Sequence, residues 1–421
     1  MTPEMPPGHG EPVVRAPRAW LGRRLLDRAA QEVRIAVVVA VLLAAGSTGA
    51  VIPITRLLVE QTGHGRIATG FFMAAHVLGG VVGAGLGRRA LRRAGSPRRL
   101  AVLALIASIA VTLALAGLVS LELRIALRFV DGACHLLAIT ALVAAATAGE
   151  PHQRVRRAVI MGVAIVLGVA GGLAIGGALG RPETALIAAA ALSGAALATV
   201  LARVAAEPSP VPQHRASQRR PIAPGLLAFC ERFSFGSITA AMSGLPPARI
   251  GLVLGVFMTA SVLALAAAWH YGLTWGPRKL AVRSALGFTL ALASCAAVDV
   301  LGSRSAAVTW AIAAGIAAGA LYASALVLAT RSAEIEDRAS GMATVHAAGS
   351  AGHALGLLSA STLALPGMLV VAVPGIAVIA VAAIGVWLTV PEATADCPVI
   401  GGLEPGASNS AAIAAQRSSG R

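Results

Sequence analysis

Arg124, Arg128, Asp131 and His135 stand together in LRIALRFVDGACH, a segment otherwise made almost wholly of apolar residues. Their spacings of 4, 3 and 4 place all four on one stripe of a helix. The spacing of three lets Arg128 pair with Asp131. A charge at the centre of a membrane helix costs about 2.5–3.5 kcal/mol on insertion scales, so it turns toward a cavity or a partner. The chemistry on offer is proton loading: a buried carboxyl holds a proton when its arginine moves away and gives it up when the arginine returns. Asp131 is the first candidate for that role and Glu231 the second. The plainer reading is a self-neutralising Arg128–Asp131 pair, with His135 bonded to a neighbouring carbonyl.

A second set lies in FCERFSFG, where Glu231 and Arg232 are adjacent. Neighbouring helical residues point about 100° apart, which sends one toward a cavity and the other toward a neighbouring helix or the interface. Other polar residues in apolar surroundings read as structural. His76, His346 and His353 are single histidines suited to hydrogen bonding within helices, Arg56 is near enough to a helix end to snorkel, and Asp299 reads as an interfacial charge.

The elements that carry these residues follow from composition. The chain has 421 residues, is 57% hydrophobic and 12% charged, with mean hydropathy +0.79. Soluble domains carry about 25% charged residues, so this is an integral membrane protein. Lipid offers the backbone no hydrogen-bond partner, and spans must therefore be helical. Apolar stretches at 35–58, 67–87, 100–119, 122–147, 158–179, 184–203, 224–243, 249–270, 280–301, 305–330, 341–363 and 367–389 predict twelve spans. Glu231, Arg232 and the pair Pro246–Pro247 make the seventh the weakest, so eleven is the lower bound.

Arginine and lysine alternate along the loops. The N-terminal arm and the loop between spans 2 and 3 carry six each, and the loops after spans 4, 6, 8 and 10 carry between two and four. The intervening loops hold one at most: Arg66, Arg124, Arg181, Arg249 and Arg304. Basic loops stay in the cytoplasm, which predicts a multi-pass protein of the cytoplasmic (inner) membrane with both termini inside. Topology thus accounts for the net charge of +16, which is dispersed rather than gathered on one nucleic-acid-binding face. The opening residues lack a signal-peptide core, and the four scattered cysteines indicate neither a disulfide framework nor a metal site. No Walker loop, His-Glu-x-x-His or Gly-x-Ser-x-Gly is present, which argues against an enzyme and against a cofactor. Energy for transport would come from an ion or solute gradient, and a monomer is expected.

Domain organisation reads as an arm at 1–33, six helices at 34–204, a Pro-, Ser- and Arg-rich cytoplasmic linker at 205–222, six helices at 223–390 and a disordered tail at 391–421. The halves echo one another. PRRLAV at 97–102 recurs as PRKLAV at 277–282, and an offset of 181 pairs Arg157 with Arg338, Gly168 with Gly349 and Gly171 with Gly352. Internally repeated halves mark secondary transporters, whose sites lie near the midplane.

These residues resemble the major facilitator superfamily of secondary transporters, over roughly 34–390. GRRALRRAGSPRRL is similar to the family's loop signature, with Arg93, Gly95, Arg98 and Arg99 fitting, while Arg92 replaces its Asp and Arg88 its first Gly. RFVDG resembles the family's span 4 element. GVAGGLAIGG resembles the glycine motif of the drug/proton antiporter branch through Gly168, Gly172, Gly176 and Gly177, with Leu173 at the proline position. The every-fourth-residue glycines also predict, without the family, a helix face that another backbone can approach closely. The resemblance implies an all-α fold in which spans 1, 4, 7 and 10 line a cavity, a gating role for the span 2–3 loop, and Tyr322 and Ser324 as the span 10 contribution. The function expected is a proton-coupled exporter of small organic or amphipathic solutes. Uptake of a small anionic metabolite by Arg124, Arg128 and Arg232, or a non-transporting scaffold or sensor on the same fold, are the alternatives.

Overall fold

The computed structural model describes residues 18–117, 120–147, 151–204, 222–275, 277–295, 303–330, 335–363 and 367–390. The linker at 205–221, the tail beyond 390, Asp299 and Cys397 lie outside them.

Among the described residues thirteen α-helices follow in chain order: α1 (Arg18–Val51), α2 (Thr55–Glu60), α3 (Arg66–Ala94), α4 (Pro97–Gly117), α5 (Leu121–Thr147), α6 (Pro151–Leu179), α7 (Pro182–Arg203), α8 (Ile222–Met242), α9 (Pro247–Trp275), α10 (Pro277–Ala293), α11 (Arg304–Thr330), α12 (Ile335–Thr362) and α13 (Leu369–Thr389). α1 and α2 form one span interrupted by a 3₁₀ turn at Ile52–Ile54, where Pro53 removes a donor and Thr55 Oγ1 bonds the Val51 carbonyl at 3.0 Å. The twelve spans expected therefore each meet a helix, within a few residues at most ends. α1 starts earlier, at Arg18, so part of the stretch expected as an arm is helical. Among the described residues nine helices are long and apolar enough to cross a membrane by length and composition.

Sequence explains several helix starts. Pro97, Pro151, Pro182, Pro247 and Pro277 each stand at a first helical position, where a missing N–H costs nothing and the fixed φ favours the helix. At the other end of α3, Gly95 closes the helix with φ +73°, its N–H bonding the Leu91 carbonyl.

Packing repeats with a shift of six spans. α1 packs on α5, α6 and α7, α3 on α5, and α4 on α5 and α7; correspondingly α8 packs on α11, α12 and α13, α9 on α11, and α10 on α11 and α13. Between the halves α6 meets α9 and, by the same relation, α12 meets α3. The largest buried cluster crosses that boundary, joining Met73, Ala74, Val166, Ala170 and Leu173 to Leu254, Phe257 and Leu357. Large apolar residues such as Leu263, Leu286, Leu290, Val381, Ile384 and Leu388 are exposed around the outside, the surface a bilayer would cover.

The glycine seam of α6 follows its spacing. A Cβ on Gly168, Gly172 or Gly176 would run into the carbonyls of Leu42, Gly46 and Ala50 of α1. In the second half Gly352 and Gly356 of α12 meet the carbonyls of Phe229 and Phe233 of α8 in the same way. The working equivalents are thus Gly172 with Gly352 and Gly176 with Gly356, at the offset of 180 that PRRLAV and PRKLAV share and one residue from the 181 that pairs the glycines in sequence. Gly171, matched to Gly352 there, touches nothing within 4 Å.

Candidate functional site

Asp131 lies ten residues into α5, about 15 Å from its start at 1.5 Å per residue, near mid-depth of a core about 30 Å thick. Three helices supply its surroundings. Arg128 on the same helix pairs with its Oδ2, Ser108 of α4 donates its hydroxyl to Oδ1 at 2.8 Å, and His76 Nδ1 of α3 stands 3.3 Å from Oδ2. Asp131 and Arg128 are each 4% exposed, so both charges are buried and depend on these partners. Arg128 also lies over the Phe72 ring, 5.9 Å from its centroid, and its Nε has no hydrogen-bond partner.

Close helix packing brings His76 there. A Cβ on Gly132 would collide with the His76 carbonyl, and one on Gly79 or Gly83 with the carbonyls of Phe129 and Ala133. α3 and α5 therefore meet backbone to backbone at the height of the carboxylate. His135, one turn beyond Asp131, places its ring 5.7 Å from that of His76.

The stripe read from sequence is divided by the fold. Arg128, Asp131 and His135 gather around His76. Arg124 is apart, bonding the Leu58 carbonyl and Gln61 Oε1, the latter at 3.2 Å. His76 and Ser108 were not among the candidates for this site. Ser108 carries no signal in an Ala- and Leu-rich span, but Gly79, Gly83 and Gly132 are a legible sign that α3 and α5 touch.

A second cluster sits at similar depth in the other half. Arg232 Nε is 3.1 Å from Glu231 Oε2, and its guanidinium lies over the Tyr322 ring of α11 at 5.1 Å. The Glu231 side chain is 7% exposed and that of Arg232 22%, and the two meet despite their adjacent positions. Gly349 of α12 makes room, since a Cβ there would stand 3.2 Å from Arg232 Cγ. His353 of α12 sits edge-on to Phe235 at 5.3 Å, and His346 is exposed. Among the described residues no group of three His, Cys, Asp or Glu is placed to hold a metal ion.

At the loop between α3 and α4, Arg98 reaches the Leu201 carbonyl of α7 at 2.8 Å, and the Arg99 N–H bonds Ser96 Oγ at 3.2 Å. Arg93 is exposed, and Gly95 is the left-handed cap described above. This end carries the basic loops. At the far end the halves are tied: Arg66 of α3 bonds the Ala360 carbonyl of α12, and Gly70 lies against Ser361 and Leu357. Gly177 of α6 faces Gly251 of α9, where an added Cβ would stand 2.9 Å from the opposing Cα.

No protein-family model and no curated protein matches the chain by sequence. Solved structures match it by shape. The xylose transporter XylE from E. coli, in its inward open conformation, aligns over 87% of this chain and 98% of its own at 14% identity and TM-score 0.67. The nucleoside transporter NupG aligns over 85% and 100% at 11% identity and TM-score 0.65, and the human organic anion transporter MFSD10 over 85% and 99% at 16% identity and TM-score 0.62.

The chain has the major facilitator fold. Within that fold α5 and α11 occupy equivalent places, yet the charges are not repeated. The offsets of 180 and 181 carry Asp131 onto Ala311 and Ile312, so the carboxylate at this position of α5 has no equivalent on α11. The second half instead sets Arg232 of α8, beside the buried Glu231, against the Tyr322 ring of α11.

Proposed function

We propose that the protein is a secondary active transporter that works by alternating access, couples to protons through Asp131, and exports small organic or amphipathic solutes. One observation carries the coupling: a mid-depth carboxylate whose compensation comes from an arginine on its own helix and from His76 and Ser108 on two others. A relative shift of α3, α4 and α5 alters that compensation and with it the carboxyl's hold on a proton. Glu231 beside Arg232 is the second carboxyl suited to the role. The far-end contacts Arg66–Ala360 and Gly177–Gly251 hold the halves together on the side away from the basic loops, and the positive-inside rule assigns the basic loops to the cytoplasm. The Gly168, Gly172 and Gly176 seam supports the antiporter branch, and the span 2–3 loop with Arg93, Gly95, Arg98 and Arg99 is the gate on that side.

A solute bearing negative charge is the second reading. The Arg232 guanidinium, partly exposed at mid-depth over Tyr322, favours it. Counterflow in proteoliposomes separates the readings when the labelled panel holds cationic amphiphiles, sugars, nucleosides and organic anions. Exchange without ATP supports a transporter, and silence across the panel supports a scaffold. With the active solute found, an imposed pH gradient tests coupling: wild type concentrates solute against its gradient, Asp131→Asn retains counterflow and loses concentration. Undiminished concentration by that variant removes Asp131 from the role.

A further inference from the structure

We propose that a cavity at the far end of the molecule is a binding site for an oxyanion, a carboxylate or a phosphate group, held by Arg66 and Arg249. The cavity has a volume of about 520 Å³ and lies where the tips of α2 and α3 meet the ends of α8, α9 and α11. Three arginines from three helices line it, Arg56, Arg66 and Arg249, together with Ser243 and Trp310, and among the described residues no acidic side chain does.

The three arginines are not equivalent. Arg56 is neutralised on its own helix, its Nε 2.6 Å from Glu60. Arg66 is met by the carbonyl of Ala360, a neutral acceptor that occupies one of five N–H donors. Arg249 has its Nε buried without a hydrogen-bond partner. Among the described residues, two positive charges thus face one cavity without a counter-charge, at the end of the molecule where the loops otherwise hold at most one basic residue each. A concave site of one sign concentrates ions of the other. Guanidinium groups match the two oxygens of a carboxylate or phosphate with paired donors.

The site also touches the closure between halves. Ala360 lies in the last turn of α12, where carbonyls lack intrahelical partners, and Arg66 caps one of them from α3. An anion that draws the guanidinium into the cavity removes that cap and loosens the α3–α12 contact. The site stands apart from Asp131 and does not depend on proton coupling.

Isothermal calorimetry on the purified full chain in dodecyl maltoside, with inorganic phosphate and succinate as probes, tests it. The expected result is saturable binding of one anion per chain, weakened about tenfold by Arg249→Gln and by Arg66→Gln, the loss of one charge-assisted contact. Arg181→Gln, at the same end but outside the cavity, leaves binding unchanged. A parallel titration with dihexanoyl-phosphatidylglycerol identifies the source. Phosphate or succinate binding unaffected by the lipid assigns the site to free anions, and displacement by it assigns the site to headgroups. Absence of saturable binding by all three probes overturns the proposal, as does equal weakening by Arg181→Gln. Should Arg66→Gln lower the melting temperature through loss of the cap, Arg249→Gln alone decides.

Discussion

His76 Nδ1 stands 3.3 Å from Asp131 Oδ2, on a different helix and opposite the arginine that pairs with the same oxygen. Two basic groups therefore converge on one carboxylate oxygen, one fixed to its helix and one carried by α3. Only the second can change its distance when α3 moves against α5.

That distinction sets the behaviour of His76→Gln. The variant keeps a polar side chain in the seam and is expected to fold and to retain counterflow. Uptake driven by a pH gradient falls by about tenfold, the effect of losing one charge-assisted contact to the carboxylate. Equal loss of counterflow and driven transport would make His76 a packing residue.

Removing either partner of the buried pair strands the other. Asp131→Leu and Arg128→Met are each expected to cost about 3–5 kcal/mol, while the double variant recovers most of it. Melting temperatures in detergent read the three. Additive losses would show that the pair contributes no coupling.

The α6 glycines give an internal control. Gly172→Ala pushes a methyl into the Gly46 carbonyl and is expected to destabilise by about 1–3 kcal/mol. Gly171→Ala, on the same helix with open space around it, is expected to be neutral or to stabilise by about 0.5–1 kcal/mol. Similar melting temperatures for the two would remove the seam from the account of how α1 and α6 hold together.

At Gly177 the obstacle lies in the other half. Gly177→Ile drives a branched side chain against Pro247 and Gly251 and is expected to open the far end. A cysteine placed at Ala170, buried in the same seam, then reacts several-fold faster with an impermeant maleimide applied from that end. Unchanged labelling shows that the α6–α9 contact does not seal it.

Much of the fold is legible in the sequence. Apolar length and charge alternation mark the spans, and bundles in lipid leave little else for such segments to do. The spacing of Arg124, Arg128, Asp131 and His135 marks one face of α5, but a face is wider than one site. Arg124 found the Leu58 carbonyl because it lies at the helix end, beside α2. His76 escaped notice because a single histidine has no periodicity, and only its neighbours Gly79 and Gly83 mark the approach of another helix. The one-residue error in the glycine offset has a similar origin. Sequence identity cannot tell a glycine that faces a backbone from one that faces open space.

Four of the six glycines of α6 meet another backbone, and they divide unequally: three lie on α1 of its own half, and Gly177 meets α9 of the other. The contact with α9 is not confined to Gly177, since a Cβ on Gly251 would also meet the Leu173 carbonyl and one on Gly255 that of Ala170. α6 is therefore a splint pressed between the two halves, and the side chain permitted at Gly177 sets how closely their far ends can seat.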